Sequence, residues 1–169
     1  MHYFLAVLSA AALLVLYMRM ETGFLQVNSI YFSKSCERLK IAHISDIHIN
    51  RMNVSPERIT DVLNRENPDV VIMTGDYIEK PAHVDAFLDF LEKITDGHST
   101  IMCLGNHEYK AFSNRKDGLD EFVSSIRRMG VTVLRNSSFC LHKGGREYNI
   151  IGFEDYEAAQ ADIEKAAEC

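Results

Sequence analysis

The chain has four cysteines, Cys36, Cys103, Cys140 and Cys169, and no two of them form a Cys-x-x-Cys pair. That gives no basis for a disulfide framework or a zinc knuckle, and it fits a reducing compartment. Only three prolines occur in 169 residues, and there is no low-complexity tract. With 47% hydrophobic and 25% charged residues, the composition is that of an ordinary globular domain with room for a real core. A basic excess is also missing: 18 Lys and Arg face 24 Asp and Glu, a net charge of −6. Broad nucleic-acid binding needs a basic surface and is not expected. A phosphorylated substrate is not excluded, because bound cations would supply local positive charge.

Nor is there a run of twenty apolar residues. The uncharged stretch from Tyr3 to Met18 has sixteen. A bilayer span takes roughly 20, and a signal-peptide core roughly 7–15. Ala10-Ala11-Ala12 would mark a cleavage site only if the apolar core ended there, and Leu13 to Leu16 continue it. The expectation is an uncleaved, single-pass membrane anchor over 1–20, followed by a linker and first β segment over 21–38. Arg19, Lys34, Arg38 and Lys40 come after the anchor, and only His2 and the amino terminus precede it. The positive-inside tendency then places the body in the cytoplasm.

What the chain does have is a regular spacing. Asp46, Asp76 and Asn106 stand thirty residues apart, each opening a polar motif after an apolar run. The motifs are Asp46-Ile47-His48, Gly75-Asp76-Tyr77-Ile78-Glu79 and Gly105-Asn106-His107-Glu108. The runs before them, Leu39 to Ile44, Val70 to Thr74 and Thr100 to Leu104, read as strands buried on both faces. Ser55-Pro56-Glu57 opens a helix, with a capping Ser, Pro at the first helical position and an acid in the first turn. Asn64 to Asp69, with Pro68, should stop it. Val84, Phe87, Leu88, Leu91 and Ile94 recur at helical spacing, and Gly97 closes that helix.

One strand–helix–strand unit takes roughly 30 residues, so the alternation predicts a parallel sheet with right-handed crossovers. The three motifs would then meet at the carboxyl edge of the sheet, where ligands bind in such folds. Further on, Lys116 to Met129 reads as a helix ended by Gly130. Val131 to Leu134, Phe139 to His142 and Asn149 to Ile151 read as short strands, with Gly144-Gly145 as a turn. Glu157 to Glu168 reads as a helix with little apolar surface to dock it.

Two carboxylates, an imidazole and an amide oxygen suit two divalent metals, and a pair about 3.5–4 Å apart is a standard device for displacement at phosphorus. Asp76, from the middle loop, is placed to bridge. His107 follows Asn106 directly and is placed to donate a proton to a leaving alkoxide. Taken singly, Asp46 and Asp76 read more readily as helix caps and Asn106 as a turn residue than as catalytic groups; the three motifs together favour the metal. His43 reads as a core or near-surface histidine, and His83 and His98 as solvated residues at helix ends and loops. Glu108 reads as a supporting or surface residue rather than a ligand.

On these motifs, in this order, the sequence resembles the calcineurin-like metallophosphoesterases. Ile44-Ser45-Asp46-Ile47-His48, Thr74-Gly75-Asp76-Tyr77 and Gly152-Phe153-Glu154-Asp155 are similar to a bacterial subgroup with an N-terminal signal or anchor. That subgroup includes enzymes cleaving the pyrophosphate of UDP-diacylglucosamine. The resemblance implies an α/β fold: the first half of a four-layer α/β/β/α sandwich, over 39–169. It implies that Asp46 and His48 hold a first metal, Asp76 bridges, Asn106 holds a second, and His107 contacts phosphate and assists the leaving group. The cofactors would be two divalent ions, Mn, Fe, Zn or Ni, supplying hydroxide as nucleophile. The substrate would be a lipid-linked or nucleotide-linked phosphodiester or pyrophosphate. Glu79 stands where Asp is more usual.

The family completes its metal shell with later histidines, including a Gly-His-x-His motif. After His107 this chain has only His142, on a hairpin strand where reaching a metal is not expected. The alternative to an enzyme is therefore a truncated, non-catalytic remnant. Half of a two-sheet sandwich would also expose apolar sheet surface and open strand edges, so low solubility is expected.

Overall fold

The computed structural model describes residues 2–21, 23–32, 39–115, 117–157 and 162–167. Four parallel strands, β1 (Ile41–Ser45), β2 (Val70–Thr74), β3 (Thr100–Cys103) and β4 (Thr132–Leu134), lie side by side in chain order. Between them run α2 (Pro56–Glu66), α3 (Val84–Thr95), and the pair α4 (Asn106–Ala111) and α5 (Gly118–Arg128). A 20-residue N-terminal helix, α1 (His2–Glu21), precedes them. An antiparallel hairpin, β5 (Ser137–Lys143) and β6 (Arg146–Gly152), and a last short helix, α6 (Ile163–Ala167), follow.

Neighbouring parallel strands joined by right-handed crossovers put all their helices on one face of the sheet. The main core shows this. Val71, Met73, Met102 and Val133 of the strands pack with Leu63 of α2, Phe87 and Leu91 of α3, and Phe122 and Ile126 of α5. Alternate strand residues point the other way: Val70, Ile101 and Leu134 meet Phe139, Leu141 and Ile150 of the hairpin. The hairpin approaches closely because residue 152 is glycine; a β-carbon there would stand 2.3 Å from Leu134 Cβ.

β2 and β3 are buried on both faces as expected, but β1 is not. Ala42 and Ile44 pack toward the helices, while Ile41, His43 and Ser45 are exposed. β1 is one of the two edge strands, and among the described residues the sheet positions packed in the hairpin cluster come from β2, β3 and β4.

The helix boundaries follow local chemistry. Ser55 takes the extended conformation of a cap (φ −71°, ψ 145°) ahead of Pro56, although its side chain makes no capping hydrogen bond. α2 runs three residues, Asn64 to Glu66, into the segment expected to stop it. It ends where Asn67 turns left-handed (φ 45°) and returns its N–H to Leu63 O at 2.7 Å. Gly97 and Gly130, at φ 77° and 83°, follow α3 and α5 as left-handed turns.

Residues 24–32 contain no strand. The rest of the expected first β segment, 33–38, lies outside the described residues, as do Lys116, 158–161, Cys36 and Cys169. In α6, Ala166 is fully buried while Ile163 is exposed. Among the described residues no helix is long and apolar enough to cross a membrane.

Candidate metal centre

The loops after β1, β2 and β3 lock together through main-chain atoms. His48 donates its N–H to Asp76 O at 2.9 Å, Ile49 to Tyr77 O at 2.9 Å, and Gly75 to Cys103 O at 3.1 Å. Asp46, His48 and Asp76 all take positive φ, 53°, 40° and 58°, and Gly75 is at 58°. Left-handed backbone at non-glycine residues costs on the order of 1–2 kcal/mol each. Such strain gathers at sites where side chains must be aimed. Here it falls on three of the residues expected to bind metal.

The turns bring donors together. One ligand atom each from His48, Asp76 and His107 lies within 4.8 Å of the others, a group able to hold a metal ion. The His48 and His107 rings meet edge to face, centroids 5.0 Å apart at 88°. Asn106 Oδ1 is buried without a hydrogen-bond partner in the protein, and an orphan acceptor beside imidazole and carboxylate suits a bound cation. The Asp46 carboxylate falls outside the three-residue group and accepts a hydrogen bond from Ser45 Oγ. His107, expected to contact phosphate and assist the leaving group rather than to bind metal, stands among the donors themselves. Neither Cys103 nor Cys140 belongs to the group. His142 is exposed on β5 and faces Glu147 at 3.4 Å, away from the group.

Supporting groups surround the donors. Glu79 lies 3.5 Å from His48 Nδ1, 2.8 Å from Arg51 Nη2 and 3.2 Å from Asn50 Nδ2. Burial pushes the Glu79 carboxyl up, but Asn50, Arg51 and the two histidines outweigh it and leave its pKa below the ordinary value. A carboxylate beside a ligating imidazole fixes the ring's tautomer and orientation. Tyr77 is fully buried. Its hydroxyl donates to Cys103 O at 2.7 Å and accepts from Gly75 N at 2.9 Å, while its ring stacks on Phe87 at 4.9 Å. Glu108 is fully buried as well; burial raises its pKa, opposed by four backbone N–H donors.

A further network ties α4 to the end of the hairpin. Tyr109 donates its hydroxyl to Glu154 Oε1 at 2.6 Å, Arg135 pairs with the same carboxylate, and Arg135 also meets Asp120 at 3.0 Å. Burial and Glu154 together raise the Tyr109 pKa.

Sequence reasoning placed all five candidate residues at the strand ends. It missed Tyr77 as a loop support, and it left Glu108 between a supporting and a surface role. A Glu three residues after Gly105, at the start of a helix, has capping-box spacing and could have shown that its carboxylate turns back toward the loop.

Comparison with known proteins gives the same ancestry. The family model "Calcineurin-like phosphoesterase" matches residues 39–166. The chain is 24% identical over 130 residues to an uncharacterized metallophosphoesterase, YkoQ, of Bacillus subtilis, covering 75% of this chain and 47% of that protein. It is 26% identical over 143 residues to the phosphodiesterase YaeI of Escherichia coli, covering 82% and 52%. It is 30% identical over 83 residues to the UDP-2,3-diacylglucosamine pyrophosphatase LpxG of Chlamydia muridarum, covering 46% and 25%. The chain thus spans about half the length of the first two relatives. With the family model matched over the whole sheet and its three motif loops, the chain belongs to the calcineurin-like phosphoesterase family.

Proposed function

We propose that the chain carries the metal-binding strand ends of a phosphoester hydrolase that cleaves a phosphodiester or pyrophosphate bond in a lipid-linked or nucleotide-linked substrate. The observation that carries this is the meeting of His48, Asp76 and His107 within 4.8 Å, beside the unpartnered Asn106 Oδ1. In this reading Asp46 and His48 would hold one divalent ion, Asn106 would hold a second, and Asp76 would serve both. When bound, the two ions polarise the phosphoryl oxygens and make water a stronger nucleophile. His107 faces the phosphate and gives a proton to the departing alkoxide. Glu79 faces the His48 ring at 3.5 Å, and the loop interlock keeps the donors fixed before any ion arrives. Mn, Fe, Zn and Ni all suit these donors.

The test is hydrolysis of bis(p-nitrophenyl) phosphate by the purified chain with added Mn²⁺. Turnover that disappears in Asp76→Ala supports the assignment. Absence of turnover by the unmodified chain favours the second reading, a non-catalytic member.

α1 is proposed to anchor the chain in a membrane with the phosphoesterase body on the cytoplasmic side. The apolar side chains of α1 at Tyr3, Phe4, Val7, Leu13, Val15 and Tyr17 are all exposed, as for a helix apolar all round that is covered by lipid. Co-sedimentation with vesicles that is lost when residues 1–21 are removed is the expected result.

A further inference from the structure

We propose that Glu108 is a positioning residue for the metal donors, a buried carboxylate that clasps the loop carrying Asp76 to the loop carrying Asn106. This rests on the metal-centre reading above and adds how that centre is held in shape.

Glu108 has no exposed surface, and both of its oxygens are fully used. Oε1 accepts the N–H of Tyr77 at 2.7 Å and of Ile78 at 3.0 Å. Oε2 accepts the N–H of Asp76 at 3.0 Å and of Gly105 at 2.8 Å. Three successive main-chain donors converge from residues 76–78, after positive φ at both Gly75 and Asp76. Backbone curled in this way forms a concave nest for an anion. Here the anion is internal and belongs to the helix that begins with Asn106. The strained turn at Asp76 and the residue before Asn106 are therefore fastened to one group. Glu108 itself does not belong to the donor group, so its effect passes through the geometry of Asp76 and Asn106.

The chemistry makes this testable. Glu108→Gln keeps the volume but turns one oxygen into an N–H₂ that faces two N–H donors, so half of the clasp becomes repulsive. Glu108→Asp keeps the charge but is one methylene too short to reach both loops. The experiment is a Mn²⁺ titration of the full chain, followed by electron paramagnetic resonance. It is run well below the unfolding temperature of each protein, with circular dichroism to confirm folding. Ile126→Val, in α5 away from the site, serves as a destabilised control. The expected result is Mn²⁺ affinity lowered about 10–100-fold in Glu108→Gln, with the control binding like the unmodified chain. Unchanged affinity in a folded Glu108→Gln overturns the proposal, and so does an equal loss in the control. If Glu108→Gln does not fold, Glu108→Asp decides by the same criterion. If the unmodified chain binds no Mn²⁺, the metal centre itself is refuted, an outcome distinct from failure of Glu108 alone.

Discussion

Gly105 and Asp76 approach so closely that a β-carbon on residue 105 would stand 2.3 Å from Asp76 Oδ1 and 2.6 Å from Asp76 N. Gly75 completes the contact, since a β-carbon there would lie 2.6 Å from Gly105 Cα. The glycines of the second and third motifs are thus a matched pair, and their missing side chains let two metal-carrying loops touch backbone to backbone.

Gly105→Ala is therefore expected to push Asp76 out of place while leaving most of the fold intact. A misplacement near 1 Å costs roughly a hundredfold in rate. Mn²⁺-dependent phosphodiester hydrolysis, compared at equal folded fraction, checks this; activity at the unmodified level would remove the contact from the account.

Tyr77→Phe should lower stability without changing the apolar packing against Phe87. It removes one of the two acceptors of Gly75 N, which keeps Cys103 O at 3.1 Å, and leaves Cys103 O with one bond fewer, both near the buried ring. Each lost hydrogen bond whose backbone partner keeps another contributes about 0.5–1.5 kcal/mol. Urea unfolding of the two proteins gives the difference directly. A loss well below that range would mean that water replaces the hydroxyl.

The hairpin is predicted to loosen in acid. Burial alone would push the Asp69 carboxyl up from 3.8, but the Lys143 ammonium and the Lys40 N–H outweigh it, so the folded pKa lies below 3.8. A depressed carboxylate stabilises the fold above its unfolded value and loses that contribution as pH falls through the folded one. Asp69 joins β5 to the start of β2, so thermal stability should fall below about pH 4. The drop should be smaller in Asp69→Asn. Equal acid sensitivity in the two proteins would assign the transition to other carboxylates.

The strand ends were legible because burial on both faces writes a short apolar run, and the turn after it writes glycine. β2 follows its expected span from Val70 to Thr74. The exposed side of β1 was not legible, since Ile41 is apolar whether or not anything covers it; only the topology shows that the strand is an edge. The site divides in the same way. Asp46, His48, Asp76, Asn106 and His107 carry their chemistry in their identities. The roles of Glu108, Tyr77 and Glu79 come from what they touch across some thirty residues of chain. The link from Tyr109 through Glu154 to Arg135 spans elements with no shared local pattern, so no periodicity could announce it.

The most direct test of the central claim is the anomalous scattering of crystals of the chain grown with Mn²⁺. The account predicts two peaks, one at about 2.0–2.3 Å from donor atoms of Asp46, His48 and Asp76 and one at about that distance from donor atoms of Asp76 and Asn106. It also predicts that both peaks are lost in Asp76→Ala. Well-ordered strand-end loops with no anomalous density among these residues would contradict the assignment of a metal centre to this chain.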